Sequence, residues 1–381
     1  MKPIKYIYIA SVLLILNGCI TKFIPETNEN QELLVLEGLI TDQPGVNTIK
    51  ISKSMPLGSI SNAEPITGCT VSISDDAQNT YSLSETEAGT YVTPIQFRGS
   101  IGYKYTLHIK TNNSFKNSYS FESYPMEMNP VPVIDSLYYE KKTLKSPDGF
   151  NAFAEGCQVY LDAHDPTGNC KFFRWDFTET WEFHLPFSRA INPRCWISDN
   201  SGSINIKNTK ILAEDVINRY PLTFITAESD RLKLRYSMMV NQYSLNEDEF
   251  TYWEKLKNIT QDIGSLYDIT PASIPSNIFC VENPAEKVLG YFSVSAKSSK
   301  RFFIKDNFRG LPDLYLNCID DSIFSNSNPY IANLNETIWI LDQNLPPGMP
   351  PFYTTITYSR GCADCTARGT NVEPDYMKDN N

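Results

Sequence analysis

Seven short β-forming stretches crowd into the segment from Gln31 to Ser123, separated by turn-forming residues. They are Leu33–Ile40, Asn47–Lys53, Cys69–Ser74, Thr80–Ser84, Thr90–Thr93, Tyr103–Lys110 and Tyr119–Glu122. Period-two alternation puts Cys69, Val71 and Ile73 on one face of their strand, and Tyr103, Tyr105, Leu107 and Ile109 on one face of theirs. Strands with one buried side carry this pattern. Pro44-Gly45, Asp75-Asp76, Gly89 and the Gly99–Gly102 stretch supply the turns. Seven such strands within roughly 100 residues predict an immunoglobulin-like β-sandwich over residues 31–123.

Residues 124–132 hold three prolines and read as a linker. Beyond them, residues 133–381 read as a larger β-rich domain. Its candidate strands are Ile134–Glu140, Gln158–Ala163, Lys171–Glu182, Leu222–Ala227, Leu232–Tyr243, Val288–Ala296 and Arg301–Lys305. One amphipathic helix is expected near 246–263. Ser244-Leu245-Asn246-Glu247 fits a capping box, and Glu247, Asp248 and Glu249 suit the positive end of the helix dipole. Phe250, Trp253, Leu256, Ile259 and Ile263 then recur at spacings of three and four, and Gly264 is a natural stop. The tail from Leu345, rich in Pro, Gly and polar residues, is expected to be irregular and held by Cys362 and Cys365. The fold class is therefore mainly β: a sandwich, then a larger β-rich domain carrying one helix.

The amino terminus decides the compartment. Lys2 and Lys5 precede an uncharged, mostly apolar run from Tyr6 to Leu16. A spanning helix needs roughly 20 apolar residues, so this run is a signal peptide over residues 1–18. Leu16-Asn17-Gly18-Cys19 resembles a bacterial lipobox, with Asn17 where Ala or Ser is usual. The resemblance implies cleavage before Cys19 and its lipidation. Two or three acyl chains hold a protein firmly on a bilayer. Residues 19–30 then form a tether, and the expected location is the cell envelope, as an outer-membrane lipoprotein.

A formal net charge of −11, more negative once Lys2 and Lys5 are lost, argues against nucleic acid as a partner. Hydrophobic residues at 41% suffice for true cores. Apart from Cys19, the eight cysteines are Cys69, Cys157, Cys170, Cys195, Cys280, Cys318, Cys362 and Cys365, which in an exported chain allows up to four disulfides. One pairing is disfavoured. If Asp165–Asn169 is a hairpin turn, Cys170 faces His164, and Cys157 is about 23 Å of strand away.

No catalytic constellation stands out. Zinc needs four ligands, and His108, His164 and His184 are far in sequence from Cys362-Ala363-Asp364-Cys365. Neither HExxH nor GxSxG occurs. Asp75-Asp76 and Asp320-Asp321 are adjacent pairs, which point to opposite faces of a strand. No cofactor, metal site or enzyme activity is expected. Aromatics, 12% of residues, are the main binding resource, since ring faces take sugars and peptides. The stripe Phe173, Trp175, Phe177 reads as core. Trp196, in Pro193-Arg194-Cys195-Trp196, sits in an apparent loop and is the candidate ligand contact.

Several segments together resemble the Bacteroidota lipoprotein family called domain of unknown function 4249. They include Leu34–Gly38, Ile66–Val71, Phe173-Arg174-Trp175, Arg194-Cys195-Trp196, Tyr236–Trp253, Gly264–Asp268 with Pro275–Ile278, Val288–Val294, and Cys362–Cys365 with Gly369–Asn371 and Pro374–Tyr376. The resemblance implies a lipobox, an immunoglobulin-like first domain and a larger second one. It also implies a non-enzymatic accessory role beside a TonB-dependent outer-membrane receptor, so the expected partners are the membrane and that receptor. A glycan- or peptide-binding lipoprotein is the alternative, and a hydrolase of unrecognised type the third reading.

Overall fold

The computed structural model describes residues 32–378 apart from 56–62, 113–114, 116–117, 145–153, 188–189, 191, 213, 261–273, 316, 319, 325–338, 341–352 and 358. The signal peptide, Cys19, the tether and the helix stop expected at Gly264 lie outside the described residues.

The first strands are β1 (Leu34–Ile40), β2 (Thr48–Lys53), β3 (Thr70–Asp75), β4 (Thr80–Ser82), β5 (Ser84–Glu87), β6 (Thr90–Val92), β7 (Lys104–Lys110), β8 (Ser120–Ser123) and β9 (Met126–Glu127). Alternation builds their core. β1 buries Leu34, Leu36 and Ile40 and exposes Glu37; β7 buries Tyr105, Leu107 and Ile109. Tyr103 precedes β7 and is exposed.

The second region contributes β10 (Ile134–Leu144), β11 (Ala154–His164), β12 (Phe172–His184), β13 (Arg194–Asn200), β14 (Asn205–Asn208), β15 (Val216–Ile225) and β16 (Tyr236–Ser244). Helix α1 (Glu247–Thr260) follows, then β17 (Ile278–Cys280), β18 (Val288–Val294) and β19 (Lys297–Ile304). Sheet β10-β11-β15 faces sheet β13-β12-β16-β19, with β14 beside β12. Val159, Leu161, Phe173, Trp175, Phe177, Met238 and Val240 fill the space between, so the aromatic stripe is core as expected. A small sheet, β20 (Asp320–Phe324), β21 (Trp339–Ile340) and β22 (Tyr353–Thr357), leads into α2 (Arg360–Ala363), a 3-10 turn at Cys365–Ala367 and α3 (Asp375–Lys378). From residue 353 the described part of the tail thus carries regular elements that its composition does not suggest.

The fold is mainly β and opens on a sandwich, but the two sandwiches are not sequential. β18 pairs in parallel with β1 along its whole length, and β17 pairs antiparallel with β8. The first sandwich is completed as β18-β1-β2-β6-β5 and β17-β8-β7-β3-β4. Ile278, Phe292 and Val294 lie in its core. The boundary drawn at 124–132 is corrected accordingly. The second region lends two strands back, and the expected linker supplies core residues Met126 and Met128.

Two local expectations also change. The Asp165–Asn169 turn does not close a hairpin: β11 and β12 belong to opposite sheets, and the turn carries the chain between them. Asp165 organises it by accepting from the backbone N–H of Thr167, Asn169 and Cys170 at 2.9, 2.8 and 2.6 Å. Cys157 and Cys170 are both unbridged and buried in the core between the sheets. The cap of α1 is Asn246, whose Oδ1 accepts from Glu249 N–H at 2.8 Å, because Ser244 is still strand.

Candidate functional site

The outer face of the first sandwich meets α1 and the first half of β12 at a cleft of about 780 Å³. Its floor is the outward side of β1, β2 and β18: Val35, Glu37, Leu39, Thr48, Lys50, Tyr291 and Ser293. An outer sheet face is ordinarily wet. Here α1 lies over it, with Tyr252, Trp253 and Leu256 forming one wall and leaving Tyr291 6% exposed. Arg174, Asp176 and the Ser201–Ile204 turn form the other wall.

Arg174 joins the two walls. Its guanidinium lies 4.4 Å from the ring centre of Trp253 and 4.7 Å from that of Tyr243, a stacked geometry suited to a planar cation. Arg174 Nη2 is 3.5 Å from Asp176 Oδ2, and its Nε is buried without a hydrogen-bond partner. Asp176 also accepts from Asn241 Nδ2 at 2.7 Å. Behind Trp253, Glu249 is 1% exposed; it accepts from Trp253 Nε1 at 3.3 Å, and its Oε2 has no hydrogen-bond partner. Burial pushes its carboxyl pKa up against the pull of Ser293, Arg174 and Trp253. Burial, with the charges of Glu37 and Glu249, raises Tyr252 to about 12.

Glu37 and Lys50 face each other across the β1–β2 pairing and both line the cleft. Neither carboxylate nor ammonium has a hydrogen bond or ion pair among the described residues. The cleft therefore offers aromatic surface with two acidic and two basic side chains.

Trp196, the expected ligand contact, is elsewhere and is corrected. It lies in β13, 4% exposed, under the Arg194 guanidinium at 4.8 Å. Its backbone exchanges two 2.9 Å hydrogen bonds with Thr370. Pro193 suggested a loop, but the strand begins immediately after it.

The eight candidate cysteines form two bridges, Cys195–Cys365 and Cys318–Cys362; Cys69, Cys157, Cys170 and Cys280 remain thiols. The two CxxC cysteines thus bond outward rather than to each other. Burial raises Cys157 and Cys170 to about 12, which leaves them unreactive. Both bridges hold the tail. Glu373 adds to the hold by pairing with Arg194 and Arg235 at 3.1 and 2.6 Å, and Tyr376 stacks on Arg301 at 3.6 Å.

The three histidines each meet a carboxylate: His108 with Glu122, His164 with Asp135 and His184 with Glu182. In one of these sets Ser74 Oγ is 2.7 Å from His108 Nε2, and His108 Nδ1 is 3.3 Å from Glu122 Oε1. This is the order of a Ser–His–acid triad. The strands that carry these residues, β3, β7 and β8, are neighbouring interior strands of one sheet. The three side chains stand together on the outer face of that sheet, with His108 and Glu122 more than a third exposed. Among the described residues, no group of three His, Cys, Asp or Glu is placed to hold a metal.

A family model described as Domain of unknown function (DUF4249) matches residues 20–301. The chain belongs to this family. No curated protein matches it. The DUF4249 span starts directly after Cys19 and contains every residue lining the cleft, while the disulfide-bonded tail falls outside it. Four segments that carry the DUF4249 resemblance, at Leu34–Gly38, Phe173–Trp175, Tyr236–Trp253 and Val288–Val294, each place residues in the cleft wall or floor. Arg174, Glu37 and Lys50 were not singled out from sequence as site residues. The convergence of those four segments was their trace.

Proposed function

We propose that this DUF4249 protein is a lipid-anchored, non-enzymatic binding protein of the outer membrane. It serves as an accessory of a TonB-dependent uptake system and holds the ligand in the cleft between its sandwiches. The cleft itself carries the reading: it is built where α1 and β12 close over the outer face of the first sandwich, and all its lining residues fall within the span that the family model matches. The cleft's volume of about 780 Å³ also falls in the range of small-ligand sites, roughly 300–1,000 Å³. The signal peptide and lipobox at Cys19 support the anchor, and among the described residues no helix is long and apolar enough to cross a membrane.

Two experiments test this. Mass spectrometry of the mature amino-terminal peptide should find acylated Cys19, whereas an uncleaved or unacylated start removes the anchor. Deleting the gene should reduce uptake of at least one nutrient handled by the neighbouring receptor; unchanged uptake of all of them defeats the accessory role.

A further inference from the structure

We infer that the cleft takes an electrically neutral, polyhydroxylated ligand, an oligosaccharide rather than an anion or a peptide. The inference rests on the cleft being the binding site proposed above. Charge is its first support. Glu37 and Asp176 balance Lys50 and Arg174, so the site has no net attraction for a charged ligand. Arg174 is not an anion clamp either. Its guanidinium lies against the rings of Tyr243 and Trp253 at 4.7 and 4.4 Å and has Asp176 at 3.5 Å, so its charge is already met by protein groups.

The second support is the Glu37–Lys50 pair. A sugar hydroxyl both donates and accepts. A carboxylate and an ammonium side by side, with no protein partners, satisfy both capacities of neighbouring hydroxyls. A lone carboxylate or a lone ammonium would favour an ion instead. The third support is the wall. Trp253 and Leu256 bring half-buried apolar surface to a floor that also holds Leu39 and Val35, backed by the buried Tyr252–Tyr291 pair, and apolar surface of this kind suits the C–H faces of sugars. Ser201 and Ser203 add hydroxyls at the rim.

The test is calorimetric titration of the full lipidated protein in detergent. The probes are neutral gluco-, manno- and galacto-oligosaccharides of three to six rings, oligogalacturonates and uncharged-side-chain tripeptides. At least one neutral series should bind. Glu37→Gln and Lys50→Met should each weaken binding by about tenfold, the scale of one hydrogen bond to a charged group, with thermal stability unchanged. Oligogalacturonate or tripeptide binding that those variants abolish overturns the ligand class and leaves the cleft as the site. Neutral-sugar binding indifferent to both variants overturns the location. If no probe binds, the ligand class is wrong; uptake in cells then separates the two ideas. Uptake lost in the cleft variants keeps the cleft as the site, and uptake retained removes the site itself.

Discussion

Gly290 lies opposite Leu36 in parallel register, so close that a Cβ on Gly290 would stand 1.7 Å from the Leu36 carbonyl oxygen. Its φ of +90° is a second demand for glycine. This contact is where β18 of the second region enters the first sandwich, and the same two strands form part of the cleft floor. Gly290→Ala should destabilise the protein by more than about 3 kcal/mol in urea unfolding, among the larger single-residue effects. Gly45→Ala, at φ +122° with open space around it, should cost only about 1–2 kcal/mol. Near-equal losses at both positions would mean that the β1–β18 pairing is not what Gly290 serves.

The Cys195–Cys365 bridge ties the tail to β13, where Thr370 pairs with Trp196. Replacing both cysteines with serine should lower stability by roughly 2–4 kcal/mol. It should also open residues 365–378 to protease while β1–β8 stay protected. Protection of the tail equal to wild type would show that Glu373 and Tyr376 suffice without the bridge.

Acid should loosen the same tail. Glu182 is 5% exposed. Burial pushes its pKa up, but hydrogen bonds with Arg235 and His184 and the charges of Arg235 and Arg194 outweigh that and leave it below the usual value. A depressed carboxyl pKa stabilises the fold above the unfolded value of about 4.3, and that contribution is lost as pH falls through the folded value. Amide exchange over residues 369–378 should therefore accelerate below roughly pH 4. Glu182→Gln should show fast exchange already at neutral pH, with a smaller acid step. A profile identical to wild type would remove Glu182 from the latch.

Ser74 should be chemically ordinary. A fluorophosphonate probe should leave it unlabelled, and Ser74→Ala should change neither stability by more than about 0.5 kcal/mol nor uptake. Labelling that disappears in Ser74→Ala would restore the hydrolase reading on the outer face of the first sandwich.

Much of this fold is legible where information is local. The strands around Leu34–Ile40 and Lys104–Lys110 announce themselves by alternation, because each buries one side only. Partner choice is not local. Val288–Val294 reads correctly as a strand, yet nothing in its own residues names β1 as its neighbour, and only Gly290 hints at a close backbone approach. The site suffers in the same way. Arg174 and Trp253 look like one charge and one helix-face aromatic until folding stacks them at 4.4 Å. Trp196 misleads for the opposite reason: a proline three residues before it imitates a loop, while a tail far along the chain pairs with its backbone and it is 4% exposed. Ser244 reads as the helix cap from its spacing to Glu247, but strand β16 runs through it and Asn246 caps instead.

The most direct test of the cleft as the working site is complementation of the gene deletion. The variant combines Glu37→Gln, Lys50→Met and Trp253→Ala and is matched to wild type in membrane abundance and acylation. Uptake of the nutrient lost on deletion should stay at the deletion level, with the folded, anchored protein present. Wild-type uptake by that variant would contradict the account.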